Sequence, residues 1–452
     1  MTDKTPSIHG QWSSRFAFIL AATGSAVGLG NIWKFPYITG ENGGGAFVMV
    51  YLLCVAALGV PIMIAEIMLG RRGRQSPINS MRTLASEASA DPRWHYLGWA
   101  GMLAGFLILA YYSVIAGWAM AYIVKDFFGS FINSNAEEIQ RLFDNLMASP
   151  LQQIFWHSVF MFITMQLVMR GVQNGLEKAV RFLMPALFII LILLVAYAMS
   201  SGAYEQGMNF LFNPDFSKID ADAVLTAMGH AFFTLSLGMG AIMVYGSYLP
   251  NHVSIAKTTF FIAGADTIVA LLAGIAIFPL VFANHLEAAS GPGLIFQTLP
   301  LAFGHMTGGW LFGLLFFILL FFAALSSSIS LIEPAVAWLV ENKNIERHQA
   351  CVWSGTACWA LGIAVVFSFN IWSGFKLFDK NLFELLDYLT ANLMLPLGGM
   401  AIAIFAGWMM KPSHAEQELE LPAEDFQAWQ FLIKYVSPGA VFLVFLHVLG
   451  FV

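Results

Sequence analysis

Two glycine-containing interruptions of apolar segments constrain this chain more than any other feature. The first, Gly24–Asn31, reads GSAVGLGN, and the second, Thr234–Gly240, reads TLSLGMG. Lipid offers no hydrogen-bond partner, so unpaired backbone is tolerated in a membrane only where it lines a cavity or is buried in protein. Two such breaks in corresponding halves of one chain are typical of the binding site of a membrane transporter.

The composition is that of an integral membrane protein. Of the 452 residues, 58% are hydrophobic and only 11% are charged, whereas soluble domains carry about 25% charged residues. The net charge of -6 is small and argues against nucleic acid as a partner. The three cysteines lack metal-type spacing, which argues against a zinc site or a disulfide framework.

Apolar segments long enough to cross a bilayer, about 20 residues each, predict eleven membrane helices. They lie near 13–38, 44–70, 97–124, 152–170, 179–199, 223–248, 255–284, 309–340, 350–370, 382–410 and 428–451. The alternating pattern of a membrane β-barrel is absent. The sequence therefore predicts an all-α membrane protein.

The distribution of Lys and Arg predicts the orientation. With the N-terminal tail, residues 1–12, in the cytoplasm, 15 of the 21 basic residues fall on the cytoplasmic side. The positive-inside rule favours this arrangement, and eleven spans then place the C-terminus outside. The acidic stretch 411–427 is predicted to be a solvated cytoplasmic loop, with no function assigned to it.

Three polar features lie inside predicted spans, where a charge costs about 2.5–3.5 kcal/mol. Asp266 is either a satisfied structural carboxylate or a cation ligand, and no basic residue of its span is placed to neutralise it. Asn31 offers an amide oxygen, a ligand suited to sodium, or packs as a buried amide. The run Ser326–Ser328 either bonds back to its own helix or supplies hydroxyls opposite the first interruption.

The electrostatics of a broken helix indicate what it binds. Half-helix N-termini favour a carboxylate, and the carbonyls of unwound backbone favour a cation. A zwitterionic amino acid together with sodium satisfies both ends. The residues alone therefore predict a cation-coupled transporter of a small carboxylate-bearing solute, with sodium and protons both open as the coupling ion.

Four motifs resemble the neurotransmitter:sodium symporter family, in particular its bacterial amino-acid members with eleven spans. The motifs are Trp12-Ser13-Ser14-Arg15, Gly24–Asn31 followed by Lys34-Phe35-Pro36-Tyr37, Glu41-Asn42-Gly43-Gly44-Gly45-Ala46-Phe47, and Phe232-Phe233-Thr234-Leu235-Ser236-Leu237-Gly238. The resemblance implies a LeuT-like fold of five plus five helices in inverted repeats, with the first and sixth spans broken. The repeats would be 13–199 and 223–410, followed by the loop 411–427 and an eleventh span at 428–452.

The resemblance implies two sodium sites. The second site would use the carbonyls of Gly24, Val27 and Ala323 and the hydroxyls of Ser326 and Ser327. The first would use Ala26, Asn31, Thr234 and a residue of the seventh span, where the family usually has asparagine. That residue is Asp266, or Ala265 if the alignment slips by one position; we favour Asp266, because an apolar residue would leave the ion underligated.

The resemblance also implies an amino-acid pocket. Its expected contacts are Ser25, Ala26, Gly28, Gly30, Ile108, Tyr112, Ile115, Phe233, Thr234, Ser236, Met239, Ser330 and Leu331. Tyr112 would bind the substrate carboxylate and Phe233 would cover it. Monoamine carriers have aspartate where this chain has Gly28, so an α-amino acid is expected. Met239 replaces a common phenylalanine and leaves an adaptable wall, which favours a neutral hydrophobic or aromatic L-amino acid.

Gate residues follow from the same resemblance. Lys34 and Asp387 would close the outer entrance, and Trp12, Tyr248 and Glu341 the inner one. His9 stands where a basic residue is expected. Because histidine gains charge in acid, the inner gate is predicted to depend on cytoplasmic pH.

Chloride is not expected to be required. Chloride-dependent members bind the anion near positions that match Tyr51, His230, Thr234 and Ala270, and here none of these supplies a carboxylate. His230 also departs from the usual glutamine. Asp266 could supply the missing negative charge from beside the site.

The sequence thus predicts a sodium-coupled amino-acid symporter, and not an enzyme, in a bacterial inner membrane. Two sodium ions and an amino acid are the expected ligands, the lipid bilayer is the other partner, and a monomer would suffice for transport. A channel, a proton-coupled carrier and a non-transporting amino-acid sensor stay open as alternatives. A membrane-embedded enzyme ranks lowest, since the spans carry no nucleophile–base set, metal cluster or phosphate loop.

Overall fold

A computed structural model describes residues 9–287 and 293–448. Outside the described residues lie 1–8 of the predicted tail, 288–292 between the seventh and eighth predicted spans, and 449–452 at the end of the predicted eleventh span. The described part is built from helices and turns, with one isolated β-bridge between Leu377 and Lys380. The all-α prediction is therefore confirmed.

Eight helices of the described part are long and apolar enough to cross a membrane, or nine if the bent pair Arg15–Ala26 and Gly30–Glu41 forms one span. The eight are Gly45–Gly73, Pro92–Phe127, Val172–Met199, Ile255–Ala283, Gly309–Lys343, Arg347–Ser368, Leu382–Met409 and Ala423–Leu446. Together with the bent pair they coincide with nine of the eleven predicted spans.

The fourth and sixth predicted spans are helical but do not reach that standard of length and hydropathy. Helix Pro150–Met169 carries Gln152, Gln153 and His157, which lower its hydropathy. The sixth span is divided into Ala221–Thr234 and Ala241–Ser247, each shorter than the roughly 20 residues of a full crossing. The count of eleven spans stays a prediction.

Both predicted interruptions are breaks in a helix. Helix Arg15–Ala26 stops, residues 27–29 form the first break, and a π-helical turn resumes at Gly30–Lys34, with a bend of 44° between the halves. Residues 235–240 form the second break, where Ser236, Gly238 and Gly240 have φ of 55°, 73° and 76°. Glycine adopts such left-handed backbone without strain, so the glycines permit the second break.

The broken helices lie at the centre of the bundle. Helix Gly309–Lys343 packs against Arg15–Ala26, against Ala241–Ser247 and against His95–Phe127. The half-helix Ala241–Ser247 also packs closely on Val60–Gly73, where a Cβ on Gly70 would lie 1.9 Å from the carbonyl oxygen of Met243. These contacts hold the two breaks beside the middle of Gly309–Lys343.

The acidic stretch 411–427, predicted to be a solvated loop, is mostly exposed but contains a helix with one buried face. Residues Pro412–Leu419 form a helix whose Ala415, Glu418 and Leu419 are buried. Glu418 accepts from Nε of Arg71 at 3.0 Å, and Arg71 donates to the carbonyl of Val253 at 2.6 Å. Arginines at the end of Gly45–Gly73 thus neutralise and cover this carboxylate.

Candidate functional site

A small pocket lies between the two breaks. It is lined by Ser25, Ala26, Gly28, Gly30, Ile108, Tyr112, Phe233, Ser236, Met239, Ser327 and Leu331. Of the other expected contacts, Thr234, Ser330 and Ile115 are buried but do not belong to this lining. The cavity measures about 20 Å³, room for roughly one water molecule, so a larger solute requires the walls to move.

Gly28 is the point where the first break comes closest to the opposite wall. A Cβ at this position would lie 2.4 Å from Oγ of Ser327 and 2.6 Å from Oη of Tyr112. Tyr112 Oη accepts from the N–H of Leu29 at 2.9 Å. The wall is therefore filled, and Gly28 has no space for any side chain.

Three serines from different segments bond to one another at the pocket. Oγ of Ser25 donates to Oγ of Ser330 at 2.7 Å, and Ser236 Oγ donates to the carbonyl of Ser25 at 2.8 Å. Ser330 Oγ in turn donates to the carbonyl of Ser327 at 2.8 Å. The sequence indicated each serine as a pocket residue but carried no signal for this network.

Asp266 forms the centre of a buried polar cluster beside the first break. Its side chain is fully buried and accepts from Nδ2 of Asn31 at 2.8 Å and from Oγ1 of Thr234 at 3.1 Å. The amide oxygen of Asn31 accepts from the N–H of Gly28 at 3.0 Å. Within the described ranges, no lysine, arginine or histidine neutralises this carboxyl group. Asp266, and not Ala265, makes these side-chain contacts.

A second cluster is rich in oxygen and poor in donors. Ser327 Oγ lies 3.0 Å from the carbonyl oxygen of Ser25, 3.3 Å from that of Gly24 and 3.4 Å from that of Val27. Ser326 Oγ lies 3.0 Å from the carbonyl oxygen of Ala323 and 3.4 Å from that of Val27.

Two hydroxyl hydrogens cannot satisfy that many carbonyl oxygens, because each hydroxyl has one hydrogen. Ala26 ends its half-helix, and the last carbonyls of a helix have no partner within the helix. Both clusters therefore present the oxygen ligands that hard cations prefer.

The end of the pocket with the predicted outer gate is closed by an ion pair. Lys34 Nζ lies 2.7 and 2.8 Å from the two carboxylate oxygens of Asp387. The same ammonium lies 5.0 Å from the ring centroid of Phe233, and the Tyr111 hydroxyl donates to Asp387 at 3.2 Å. The predicted outer-gate residues are in contact, with Phe233 directly beneath them.

The residues of the predicted inner gate are also in contact. Trp12 Nε1 donates to the carbonyl of Tyr245 at 3.0 Å, and the N–H of Trp12 donates to the carbonyl of Tyr248 at 3.1 Å. His9 Nε2 lies 3.0 Å from Oε1 of Glu341. The predicted inner-gate residues therefore form one contiguous contact.

Sequence reasoning missed a buried ion pair behind the inner gate. Glu333 accepts from Arg347 Nη1 at 2.9 Å and from the hydroxyl of Tyr248 at 2.8 Å. Arg347 also donates to the carbonyl of Val168 at 2.8 Å. The available signal was a glutamate in an apolar helix followed by an arginine at the start of the next helix, and no spacing rule pairs them.

His230 packs in an aromatic environment next to the Asp266 cluster. Its ring centroid lies 5.8 Å from that of Phe35 and 5.3 Å from that of Tyr51. Both ring nitrogens are buried without a hydrogen-bond partner among the residues described. Ala270 is buried and adds no oxygen ligand, so Asp266 is the carboxylate of this region.

Comparison with known proteins identifies the family. Residues 9–137 and 130–451 match the model of the Sodium:neurotransmitter symporter family. The sodium-dependent transporter YhdH of Bacillus subtilis is 36% identical over 97% of this chain and 98% of its own length. A sodium-dependent transporter of Haemophilus influenzae is 34% identical over 96% of this chain and 97% of its own length.

Among solved structures, the crystal structure of MhsT in complex with L-phenylalanine is similar to this chain, with a TM-score of 0.91 and 42% sequence identity. The match covers 97% of this chain and 99% of the MhsT chain. This likeness confirms the LeuT-like fold. The chain belongs to the sodium:neurotransmitter symporter family and is a multi-pass, sodium-dependent transporter rather than an enzyme.

Proposed function

We propose that this protein imports a neutral, hydrophobic or aromatic L-amino acid together with sodium, by alternating access across a bacterial inner membrane with its N-terminus in the cytoplasm. The observation that carries the proposal is the buried cluster of Asp266, Asn31 and Thr234 directly beside the pocket. A buried carboxylate without a basic partner is costly, and a bound sodium ion removes that cost.

Two sodium ions are proposed. The first is held by Asp266, Asn31, Thr234 and the Ala26 carbonyl. The second is held by the carbonyls of Gly24, Val27 and Ala323 with the hydroxyls of Ser326 and Ser327. At about 100 mV each entering sodium contributes roughly 2.3 kcal/mol, so two ions drive strong accumulation of a neutral solute.

The proposed substrate follows from the two walls of the pocket. Tyr112 at the first break offers its O–H group to a carboxylate, and Gly28 leaves no room for the carboxylate side chain that a bare amine would need. The apolar wall contains Ile108, Met239 and Leu331. The similarity to MhsT, which was crystallised with L-phenylalanine, supports a hydrophobic or aromatic side chain.

Uptake of radiolabelled L-phenylalanine into proteoliposomes tests this function. We expect uptake only with an inward sodium gradient, and a loss of about tenfold or more in sodium affinity for Asn31→Ala and Ser327→Ala, since each removes one ligand of a charged group. Ser368→Ala is the matched control, because Ser368 is buried and bonds only to its own helix. Wild-type sodium dependence in both pocket variants would refute the assignment of the sites.

A proton-coupled carrier is the second candidate, because the fully buried Asp266 could bind a proton instead of sodium. It predicts uptake that is indifferent to sodium and driven by an inward proton gradient. The same proteoliposomes, with the sodium gradient replaced by a pH gradient of equal size, separate the two mechanisms.

We expect transport to be independent of chloride. Asp266 supplies a fixed negative charge beside His230 and Tyr51. This charge takes the place of the chloride ion that chloride-dependent members of the family bind near these positions. Replacing chloride by gluconate on both sides of the membrane should leave the rate of sodium-driven uptake unchanged. A sharp fall in that rate would show that the prediction is wrong.

The contact between His9 and Glu341 should stabilise the closed inner gate. Glu341 is held by His9 Nε2 at 3.0 Å and by the N–H of Ser76 and the amide of Asn79, each at 2.7 Å. His9→Ala removes one of these contacts and should speed gate opening and sodium-driven uptake by about fivefold, equivalent to roughly 1 kcal/mol. His9→Gln keeps a hydrogen bond and should retain the wild-type rate; a wild-type rate in His9→Ala contradicts the role of His9.

A further inference from the structure

We propose that the pocket selects amino acids whose side chain ends in a hydrogen-bond donor, as the phenol of tyrosine and the indole of tryptophan do. This inference rests on the proposed function, because it specifies the substrate of the same pocket. It is carried by the network of Ser25, Ser236 and Ser330.

All three hydroxyl hydrogens of this network are already used inside the protein. Ser330 donates to the Ser327 carbonyl and Ser236 donates to the Ser25 carbonyl, both at 2.8 Å. Oγ of Ser25 donates to Oγ of Ser330, because these two oxygens are 2.7 Å apart, whereas Oγ of Ser25 and Oγ of Ser236 are 3.2 Å apart. None of the three serines therefore has a hydrogen left to offer a ligand.

The oxygen lone pairs are not used to the same extent. Each hydroxyl oxygen can accept two hydrogen bonds, whereas Oγ of Ser25 receives none from its serine neighbours and Oγ of Ser236 receives at most the long contact from Ser25. Both residues line the pocket. The pocket consequently presents two acceptor oxygens and no serine donor to whatever occupies it.

A donor at the tip of a side chain can bind one of these two oxygens. A phenyl or aliphatic side chain has no such donor and leaves both oxygens facing hydrocarbon. These oxygens are buried, since Ser25 and Ser236 are 2% and 4% exposed, and a buried lone pair that faces hydrocarbon forgoes the hydrogen bond that a donor would supply.

The backbone at Ser236 supports a functional reason for the network. Ser236 has φ of 55°, a left-handed conformation that costs a serine energy and is concentrated at ligand-binding positions. With its backbone in this conformation, Ser236 donates through Oγ to the carbonyl of Ser25, which lies two residues before the first break. The remaining wall, with Ile108, Met239 and Leu331, suits the ring of an aromatic side chain once flexible Met239 moves.

Competition against sodium-driven uptake of radiolabelled L-phenylalanine by the full-length protein in proteoliposomes tests the inference. Two pairs of unlabelled competitors differ in the donor and little in shape: tyrosine with 4-fluorophenylalanine, and tryptophan with 3-benzothienylalanine. We expect the donor-bearing member to inhibit at about five- to tenfold lower concentration, as one net hydrogen bond predicts. If the donor-bearing member has the advantage in just one of the two pairs, the inference is supported and that pair shows whether the phenol or the indole reaches the serines.

Variants locate the effect within the network. Ser25→Ala should abolish the donor advantage within each pair, whereas the matched control Ser354→Ala, a buried serine bonded to its own helix, should keep it. Equal inhibition within both pairs in the wild type overturns the inference, even if Ser25→Ala does not fold. Sodium-driven phenylalanine uptake without any donor advantage refutes this inference alone, whereas the absence of sodium-driven uptake of every amino acid refutes the proposed function as well.

Discussion

Gly28→Ala is expected to lower the initial rate of sodium-driven amino-acid uptake by about a hundredfold, the scale that a misplacement of roughly 1 Å produces in a binding site. The added Cβ would lie 2.4 Å from Ser327 Oγ and 2.6 Å from Tyr112 Oη. Ser327 is held by the carbonyls around the first break, and Tyr112 by the N–H of Leu29. The substitution therefore displaces the pocket wall and the second proposed sodium site together.

The matched control for this variant is Gly264→Ala. Gly264 lies in helix Ile255–Ala283, where an added Cβ meets open space, so this variant makes the same chemical change in a membrane helix without a clash. Both variants are compared at equal amounts of reconstituted protein. Wild-type uptake by Gly28→Ala would contradict the filled wall around the first break.

Asp266→Ala is expected to raise the sodium concentration for half-maximal uptake by about 10- to 150-fold. The substitution removes the charge of the first proposed sodium site and the acceptor of Asn31 and Thr234, and one interaction with a charged group contributes about 1.5–3 kcal/mol. Asp266→Asn keeps an oxygen in place and should cause a smaller rise. The measurement is the sodium dependence of the initial uptake rate in proteoliposomes.

Asp222→Asn controls for the loss of one negative charge, because Asp222 is exposed at the start of helix Ala221–Thr234. Its sodium dependence should equal that of the wild type. A wild-type response in Asp266→Ala would contradict the role of the carboxylate. Loss of uptake at every sodium concentration, with folding intact, would still agree with an essential ligand.

The parts of the fold that sequence predicts well are those with a local signal. Glycine and polar residues inside apolar segments mark the two breaks, since hydrocarbon elsewhere requires an unbroken helix. The helix ends lie within a few residues of the predicted spans, for example Ile255–Ala283 against 255–284. The gate pairs Lys34–Asp387 and His9–Glu341 came from resemblance, and the structure brings the members of each pair into contact.

The parts that sequence could not predict depend on partners far apart in the chain. Glu418 looks solvated by composition, yet it is buried against Arg71, 347 positions away. The serine network joins residues 305 and 211 positions apart, and no periodicity encodes that meeting. The small size of the pocket likewise depends on how whole helices pack.

Ser327 belongs to two environments at once, since it lines the pocket and touches the carbonyl oxygens around the first break. If ion and solute occupy these places, neither can bind without altering the surroundings of the other. Thermodynamic reciprocity then requires that the solute change the affinity for the ion by the same factor as the ion changes the affinity for the solute. A dissociation constant for either ligand has a defined value only at a stated concentration of the other.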